Sequence, residues 1–131
     1  MSQVPFDLRY SKSHEWARQR PDGTVEVGIT DHAQHALGDL VFVEVPEVGR
    51  ALAADEACAV VESVKAASDV YSPIAGVVTA GNATLTAAPE LVNTDPYGSG
   101  WLMRLKPAAA SPLTAMMSAA EYEALLAVVG G

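Results

Sequence analysis

Hydrophobic residues alternate with polar or small residues along much of this chain, and the alternation predicts several short β-strands. In the run 24–29, the side chains of Val25, Val27 and Ile29 share one side, as in a strand with one buried face. The run 40–45 repeats the pattern with its three valines on one face. Turn-forming residues separate these runs from further strands predicted at residues 15–18, 57–64, 68–71, 76–80 and 101–105.

Two short helices are predicted between these strands. Asp31, followed by Gln34 three residues later, resembles a capping box. The helix that starts there is expected to run through Leu37 and to end at Gly38. Pro89 predicts the start of a second helix of one or two turns, because proline suits the first helical position.

A third helix is predicted at the C-terminus. Ser118 and Glu121 form a second capping-box pattern, and Ser111 is another candidate N-cap. Hydrophobic side chains then recur at helical spacing, at Tyr122, Leu125, Leu126 and Val129. We expect this amphipathic helix to pack over the sheet.

These elements together predict the fold class. Many short strands with frequent turns are typical of a β-sandwich or barrel with added short helices. The 131 residues contain no linker and no low-complexity tract. A single domain spanning residues 1–131 is therefore expected.

Composition narrows the classes of function. The net charge of −8 and the pI of about 4.6 disfavour nucleic-acid binding, because contact with phosphates needs a basic face. No apolar run has the length of a membrane span, and the N-terminal residues lack the pattern of a signal or transit peptide. Cys58 is the only cysteine, which agrees with a reducing compartment and a packing role. These features predict a cytoplasmic protein without a membrane partner.

Known catalytic and metal-binding patterns do not stand out. The chain has no nucleophile elbow, no phosphate-binding glycine loop and no pair of catalytic acids, so no catalytic residue is assigned. His14, His32 and His35 occur without an HExxH motif or a cysteine companion, so no metal site is expected.

Lys65 is the strongest candidate for chemistry. It is one of three lysines and lies between the predicted strands 57–64 and 68–71, at the tip of a hairpin. A primary amine on a long stem at an exposed tip suits enzymatic acylation, which removes its charge and leaves a swinging arm. An ordinary solvated lysine in a turn is the alternative.

The residues around Lys65 resemble the lipoyl-attachment segment of the glycine cleavage H-protein family. That segment is Val-Val-Glu-Ser-Val-Lys-Ala-Ala-Ser-Asp-Val-Tyr-Ser-Pro at residues 60–73. The likeness extends from about residue 8 to about residue 126, in the family's order and spacing. It includes the segments SHEW at 13–16, GITDHAQ at 28–34, ALGD at 36–39, VFVE at 41–44, PEVG at 46–49, PELVN at 89–93 and DPYG at 95–98, with GW at 100–101.

This resemblance implies a fold, a cofactor and a set of partners. The implied fold is mainly β, a barrel-sandwich hybrid of two small antiparallel sheets, with lipoate joined as an amide to Lys65. The protein would shuttle the aminomethyl group of glycine from a pyridoxal-phosphate (PLP) glycine decarboxylase to a tetrahydrofolate-dependent aminomethyltransferase. Electrons would pass to a dihydrolipoamide dehydrogenase that uses FAD and NAD. The chain itself would be a non-catalytic carrier, and a monomer suits one that visits several enzymes.

The resemblance also implies roles for other residues. Ser13, Glu15 and Asp69 are candidates to line a cleft for the loaded arm, with Leu37 as an apolar wall. A capped turn for Ser13 and solvated carboxylates for Glu15 and Asp69 are equally good interpretations. Glu62 and Asp69 flank the hairpin tip, where a lipoate ligase or octanoyltransferase would recognise them; ordinary surface acidity is the alternative.

Other functions compete with this interpretation. The chain could relay or store lipoyl groups for 2-oxoacid dehydrogenases. A biotin acceptor is disfavoured because Val64 and Ala66 stand where methionines usually flank the modified lysine. An enzyme using Cys58 or a histidine pair is disfavoured because no base lies at motif spacing. Two positions depart from the family's pattern. His35 lies where members often carry an acidic residue, and the alanine-rich stretch at 51–54 lies where they usually carry charged residues.

Overall fold

Antiparallel β-strands dominate the structure, a computed structural model that describes residues 3–108 and 113–129. The strands of these residues are β1 Arg9–Tyr10, β2 Glu15–Gln19, β3 Val25–Ile29, β4 Leu40–Glu44, β5 Ala51–Leu52, β6 Ala57–Ser63, β7 Ala67–Tyr71, β8 Gly76–Gly81 and β9 Met103–Pro107. The helices are α1 Asp31–Leu37, α2 Thr84–Ala87, α3 Leu91–Thr94 and α4 Ala119–Val129.

The strands form two antiparallel sheets. A large sheet has the order β1-β2-β3-β9-β8-β5, and a small sheet has the order β4-β6-β7. The expectation of a mainly β protein with short helices and a C-terminal helix is confirmed. The predicted strands lie within a few residues of the observed ones, whereas β1, β5 and α2, which are two to four residues long, were not predicted.

The main core lies between the two sheets. Val27 and Leu105 contribute from the large sheet, and Val43, Val61 and Val70 contribute from the small one. Each of these side chains is at most 3% exposed. Burial of such aliphatic side chains is worth about 1.5–3 kcal/mol each, so this core is the main support for the hairpin β6–β7.

Strand β3 is buried on both faces, which corrects the prediction of a strand with one buried face. Glu26 accepts hydrogen bonds from Arg18 (3.0 Å) and Arg104 (3.0 Å), so its carboxylate is paired although it is buried. The indole of Trp16 covers Gly28 so closely that a Cβ there would lie 2.6 Å from the Trp16 Nε1 atom. A polar residue paired by arginines and a glycine under an aromatic ring thus imitate the pattern of a solvent-facing side.

Strand β4 also departs from simple alternation. Its register against β6 shifts between Leu40 and Phe42, which places Leu40 in the core and leaves Val41 56% exposed. The prediction that Val41 shares the buried face of Val43 was therefore wrong. A bulge inserts one extra residue and moves the following side chains to the opposite faces.

Helix α1 begins one residue earlier than its predicted capping box. Thr30 is the N-cap, and its hydroxyl accepts the backbone amide of Ala33 (3.2 Å). Asp31 instead lies in the first turn, where Gln34 donates to its carboxylate (2.7 Å). The predicted end at Gly38 is confirmed, because the Gly38 amide donates to the carbonyl of Gln34 (3.0 Å).

Helix α4 packs against the large sheet through a second hydrophobic cluster. Its predicted capping box is confirmed: the amide of Ser118 donates to Glu121 (2.9 Å), and the amide of Glu121 donates to the Ser118 hydroxyl (3.3 Å). Tyr122 and Tyr10 stack with ring centroids 4.7 Å apart. Trp16, Leu8, Ala119 and Leu126 complete this cluster. The other candidate N-cap, Ser111, lies outside the described residues.

Among the helices of the described residues, none is both long and apolar enough to cross a membrane.

Candidate functional site

The tip of the β6–β7 hairpin is a tight turn that presents Lys65. The amide of Ser63 donates to the carbonyl of Ala66 (2.7 Å), and the Ser63 hydroxyl accepts the amides of Lys65 (3.3 Å) and Ala66 (3.1 Å). These bonds satisfy the backbone of the turn locally. Val64 is 88% exposed and Lys65 is also exposed, so the amine stands at an ordered and accessible tip. The predicted hairpin with Lys65 at its tip is confirmed.

The side chain of Lys65 lies close to Gly38. A Cβ at Gly38 would be 3.4 Å from the Lys65 Cε atom and 4.0 Å from its Nζ atom. Gly38 has φ 84° and ψ −166°, which strongly favours glycine. The chain therefore turns from α1 into β4 at a glycine that its backbone conformation favours and that lies close to the Lys65 side chain.

A buried carboxylate lies between the two sheets at Glu15. Its Oε1 atom accepts hydrogen bonds from the hydroxyls of Ser11 (2.5 Å) and Ser13 (2.6 Å). Its Oε2 atom accepts the backbone amide of Tyr71 (3.2 Å), the last residue of β7. Glu15 is only 2% exposed, so these donors replace the water that a carboxylate needs. We call Ser11, Ser13 and Glu15 the carboxylate cluster.

The carboxylate cluster fixes the far end of β7, the strand that follows the Lys65 turn. Glu15 begins β2 of the large sheet, and Tyr71 ends β7 of the small sheet. The hydrogen bond between them ties the lysine hairpin to the opposite sheet. A carboxylate with two neighbouring hydroxyls is also chemically suited to receive an ammonium group.

A histidine and a tyrosine connect this region to α4. His14 has φ 70°, and its Nδ1 atom shares a hydrogen bond with the Tyr122 hydroxyl (2.7 Å). The same hydroxyl lies 2.8 Å from the hydroxyl of Thr30, the N-cap of α1. Burial, and then the nearby imidazole of His32, lower the pKa of His14. Burial raises the pKa of Tyr122 to about 12, so this phenol stays protonated in neutral solution.

The remaining sequence-predicted residues occupy different places around the hairpin. Leu37 is partly buried and packs against the main core near the end of α1. Asp69 is exposed and is the cross-strand partner of Val60, and Glu62 is the cross-strand partner of Phe42. Since Val61 and Val70 face the core, both acids belong to the outer face of the small sheet. The structure thus brings Ser13 together with Glu15 and places Asp69 and Glu62 beside the lysine turn.

The other candidate groups have structural surroundings. The Cys58 thiol is buried, with its Sγ 3.4 Å from the carbonyl of Val70, and burial raises its pKa to about 12. A thiol with so high a pKa is a poor nucleophile. Within the described ranges 3–108 and 113–129, no group of three or more histidine, cysteine or acidic side chains could hold a metal ion.

Sequence reasoning missed two contributors to these contacts. Ser11 was not predicted because its role depends on the sharp turn before β2, which brings its hydroxyl back to Glu15. Gly38 was identified only as a helix terminator, and nothing in its pattern indicates that Lys65 lies against it. Both contacts join segments that local periodicity does not connect.

Comparisons with known proteins agree with this geometry. The profile of the family described as "Glycine cleavage H-protein" matches residues 8–128. The glycine cleavage system H protein of Halorhodospira halophila is 62% identical over 130 residues, covering 99% of this chain and 100% of that protein. The Escherichia coli protein of the same name is 54% identical over 126 residues, covering 96% of this chain and 98% of that protein.

A solved structure shows the same architecture. The crystal structure of a glycine cleavage system H protein from Mycobacterium marinum matches with a TM-score of 0.84 and 40% identity. The match covers 98% of this chain and 100% of that one. The expected barrel-sandwich hybrid is therefore confirmed. The chain belongs to the glycine cleavage H-protein family, the lipoyl carriers of the glycine cleavage system.

Proposed function

We propose that this chain carries lipoate as an amide on the Nζ atom of Lys65. The observation that carries the proposal is the exposed amine at the tip of a turn whose backbone is held by Ser63. The surroundings fit the group, because the Lys65 stem lies against Gly38 while the tip remains accessible. Lipoate would supply a cyclic disulfide that accepts a carbon fragment and electrons together.

The carboxylate cluster is the proposed receiver for the amine of the transferred group. Glu15 is buried and already accepts two hydroxyl donors, so it presents an anion in surroundings with little water. An ammonium group placed there would gain a charge-assisted hydrogen bond. Exclusion of water would slow the hydrolysis of a carbon bonded to both sulfur and nitrogen.

The proposed partners follow from the family's place in the glycine cleavage system. They are a PLP-dependent glycine decarboxylase, a tetrahydrofolate-dependent aminomethyltransferase and a dihydrolipoamide dehydrogenase that uses FAD and NAD. A lipoate ligase or octanoyltransferase would attach the arm. The chain would act as one non-catalytic domain and as a monomer, since each partner must reach the same turn.

We also propose a bacterial cytoplasm as the compartment. Support comes from the bacterial relatives and from Cys58, whose thiol remains unpaired and buried.

Intact mass and peptide mapping after incubation with lipoate, ATP and a lipoate ligase test the attachment. We expect one lipoyl addition on Lys65, lost in Lys65→Ala and retained in Lys106→Ala, which removes another exposed lysine. An unmodified Lys65 beside an active ligase would overturn the attachment.

A second assay tests the carrier role. The lipoylated protein alone should give no steady glycine turnover, and addition of the decarboxylase should start exchange of carbon dioxide with the glycine carboxyl. An exchange rate that is the same with the Lys65→Ala variant as with the lipoylated wild type would contradict the carrier role.

A further inference from the structure

Asn93 holds the loop against which the Lys65 stem lies. Its side-chain Nδ2 atom donates to the carbonyl of Gly38 (2.9 Å), and its Oδ1 atom accepts the amide of Leu40 (2.9 Å). One side chain therefore ties both ends of the link between α1 and β4. The Nδ2 atom also donates to the Oε1 atom of Gln34 (3.0 Å), which extends the hold to the last turns of α1.

The residues that hold this loop are attached to the core. Asn93 is on α3, and its neighbour Val92 is fully buried in the main core. Gln34 is buried as well and donates to the carboxylate of Asp31 (2.7 Å). The position of Gly38 is therefore fixed from α3 by a chain of hydrogen bonds, in addition to its own backbone bond to Gln34.

Gly38, the loop residue that Asn93 holds, is also the neighbour of the Lys65 side chain. The Lys65 Cε atom lies 3.4 Å from the point where a Cβ of Gly38 would stand. Two segments distant in sequence thus meet at a glycine whose backbone Asn93 holds. Movement of the loop therefore changes the distance between Gly38 and the Lys65 side chain.

We propose that Asn93 is a positioning residue for the arm on Lys65, acting through Gly38. Gly38 and the link to Leu40 form a seat for the lysine stem, and Asn93 keeps that seat in place. The seat restricts the directions available to the root of the arm, which concentrates the far end of the arm near the protein surface. This inference rests on the proposed attachment of lipoate to Lys65.

The test is the reactivity of the reduced arm. Fully lipoylated protein is reduced with a phosphine, and the rate of thiol alkylation by iodoacetamide is measured with mass detection of the Lys65 peptide. We expect Asn93→Ala to raise this rate by about fivefold, the effect of losing a hydrogen bond of ordinary strength. Asn93→Asp should also raise it, because a carboxylate can accept from Leu40 but cannot donate to the Gly38 carbonyl.

Asn82→Ala is the matched control. Asn82 also uses its amide to hold two backbone carbonyls, those of Ser99 (2.9 Å) and Trp101 (2.8 Å), which belong to the loop before β9 and not to the lysine turn. The control should lose stability comparably and leave the alkylation rate unchanged. Equal rates in wild type and both Asn93 variants, or an equal rise in Asn82→Ala, would overturn the role of Asn93.

A measurement on the wild-type protein does not depend on whether a variant folds. A nuclear Overhauser contact between the Lys65 side-chain methylenes and the Gly38 Hα atoms is expected before and after lipoylation. Its absence from the lipoylated protein would overturn the seat. Failure of lipoylation itself would appear as a missing mass addition, and it would overturn the proposed attachment, leaving the contact in the unmodified protein as a separate result.

Discussion

Glu15 is a buried acid whose surroundings serve both structure and chemistry. Its carboxylate accepts two serine hydroxyls and the amide of Tyr71, so the folded protein solvates it without water. Removal of the carboxylate leaves three donors without their acceptor. Structural and functional effects must therefore be separated by substitutions of different kinds.

Substitution of Glu15 should shorten the lifetime of the aminomethyl-loaded protein. Glu15→Gln keeps the volume and loses the charge, and the loss of a charge-assisted hydrogen bond corresponds to about a tenfold faster decay. Glu15→Ala should accelerate decay at least as much. Ammonia release from the loaded protein is the measurement, with the extent of lipoylation, expected unchanged, as the control. A decay rate equal to that of wild type in both variants would contradict the role of Glu15.

The stability of the protein should depend on His14 in mildly acidic solution. The pKa of His14 is lowered from its ordinary value of 6.5 by burial and by His32, so the folded state favours the neutral ring. The unfolded chain then binds a proton first, and stability falls as the pH drops below about 6.5 and through the folded pKa. The free energy of unfolding in urea at pH 7.5 and 5.5 measures this loss.

Two variants separate the contribution of His14 from that of another histidine. His14→Gln should show a smaller loss between the two pH values than wild type. His35→Gln, which removes an exposed imidazole, serves as the matched control. A loss in His14→Gln as large as that of wild type would refute the contribution of His14.

The sequence predicted the roles of single residues where those roles depend on residues nearby in the chain. Lys65 could be singled out because the residues around it, which are adjacent in the chain, resemble the family's attachment segment. Ser13 and Glu15 were candidates, and they share a hydrogen bond in the structure. Ser11, Gly38 and Asn93 could not be assigned roles, because their contacts depend on how distant segments meet.

At the scale of elements, alternation predicted the strands better than it predicted their exposure. Strand β3 was located, yet its polar face is covered by Arg104 and by the indole of Trp16. The bulge in β4 reversed the expected side of Val41. Both departures arise from pairing between strands, which the pattern within a single strand does not report.

One hydroxyl group adds polar contacts to the hydrophobic packing of α4 against the sheets. Tyr122 joins His14 and Thr30, so Tyr122→Phe leaves two polar partners without this bond. We expect a loss of about 1–3 kcal/mol in the free energy of unfolding. Tyr71→Phe, which removes the hydroxyl of a partly exposed ring, is the matched control and should change stability by less than about 0.5 kcal/mol.

Urea denaturation of the three proteins checks this expectation. Lipoylation of Lys65 should proceed normally in Tyr122→Phe, because the lysine turn is held by its own backbone bonds. Equal stability of Tyr122→Phe and wild type would show that the hydroxyl contributes nothing to the attachment of α4.

At the scale of the whole molecule, acidic residues and exposed apolar side chains surround the lysine turn. Phe42 and Val64 are 44% and 88% exposed, and Glu62 lies in the same cross-strand row as Phe42. With a net charge of −8, the protein presents a negative field to any enzyme that binds this face. Partners with basic surfaces would be attracted by that field.

Reversal of charge at Glu62 should slow modification of Lys65. We expect Glu62→Lys to lower the initial rate of lipoylation by about tenfold or more, since a like charge would face a basic ligase surface. Glu123→Lys makes the same change of net charge on the exposed side of α4 and should retain most of the rate. A time course of intact mass at limiting ligase is the measurement. Equal rates for the two variants would mean that the place of the reversed charge, near the turn or far from it, has no influence on lipoylation.

The order of strands in the large sheet has a consequence for the timing of synthesis. Strand β9 pairs with both β3 and β8, so the large sheet is complete only after residues 103–107 have joined it. Lys65 leaves the ribosome earlier, on a hairpin whose buried valines then face an opposing sheet that still lacks β8 and β9. Loop closure between β3 and β9 comes late because the pairing is distant in sequence. A ligase that reads the folded face of the small sheet would therefore meet its substrate only after nearly the whole chain has been translated.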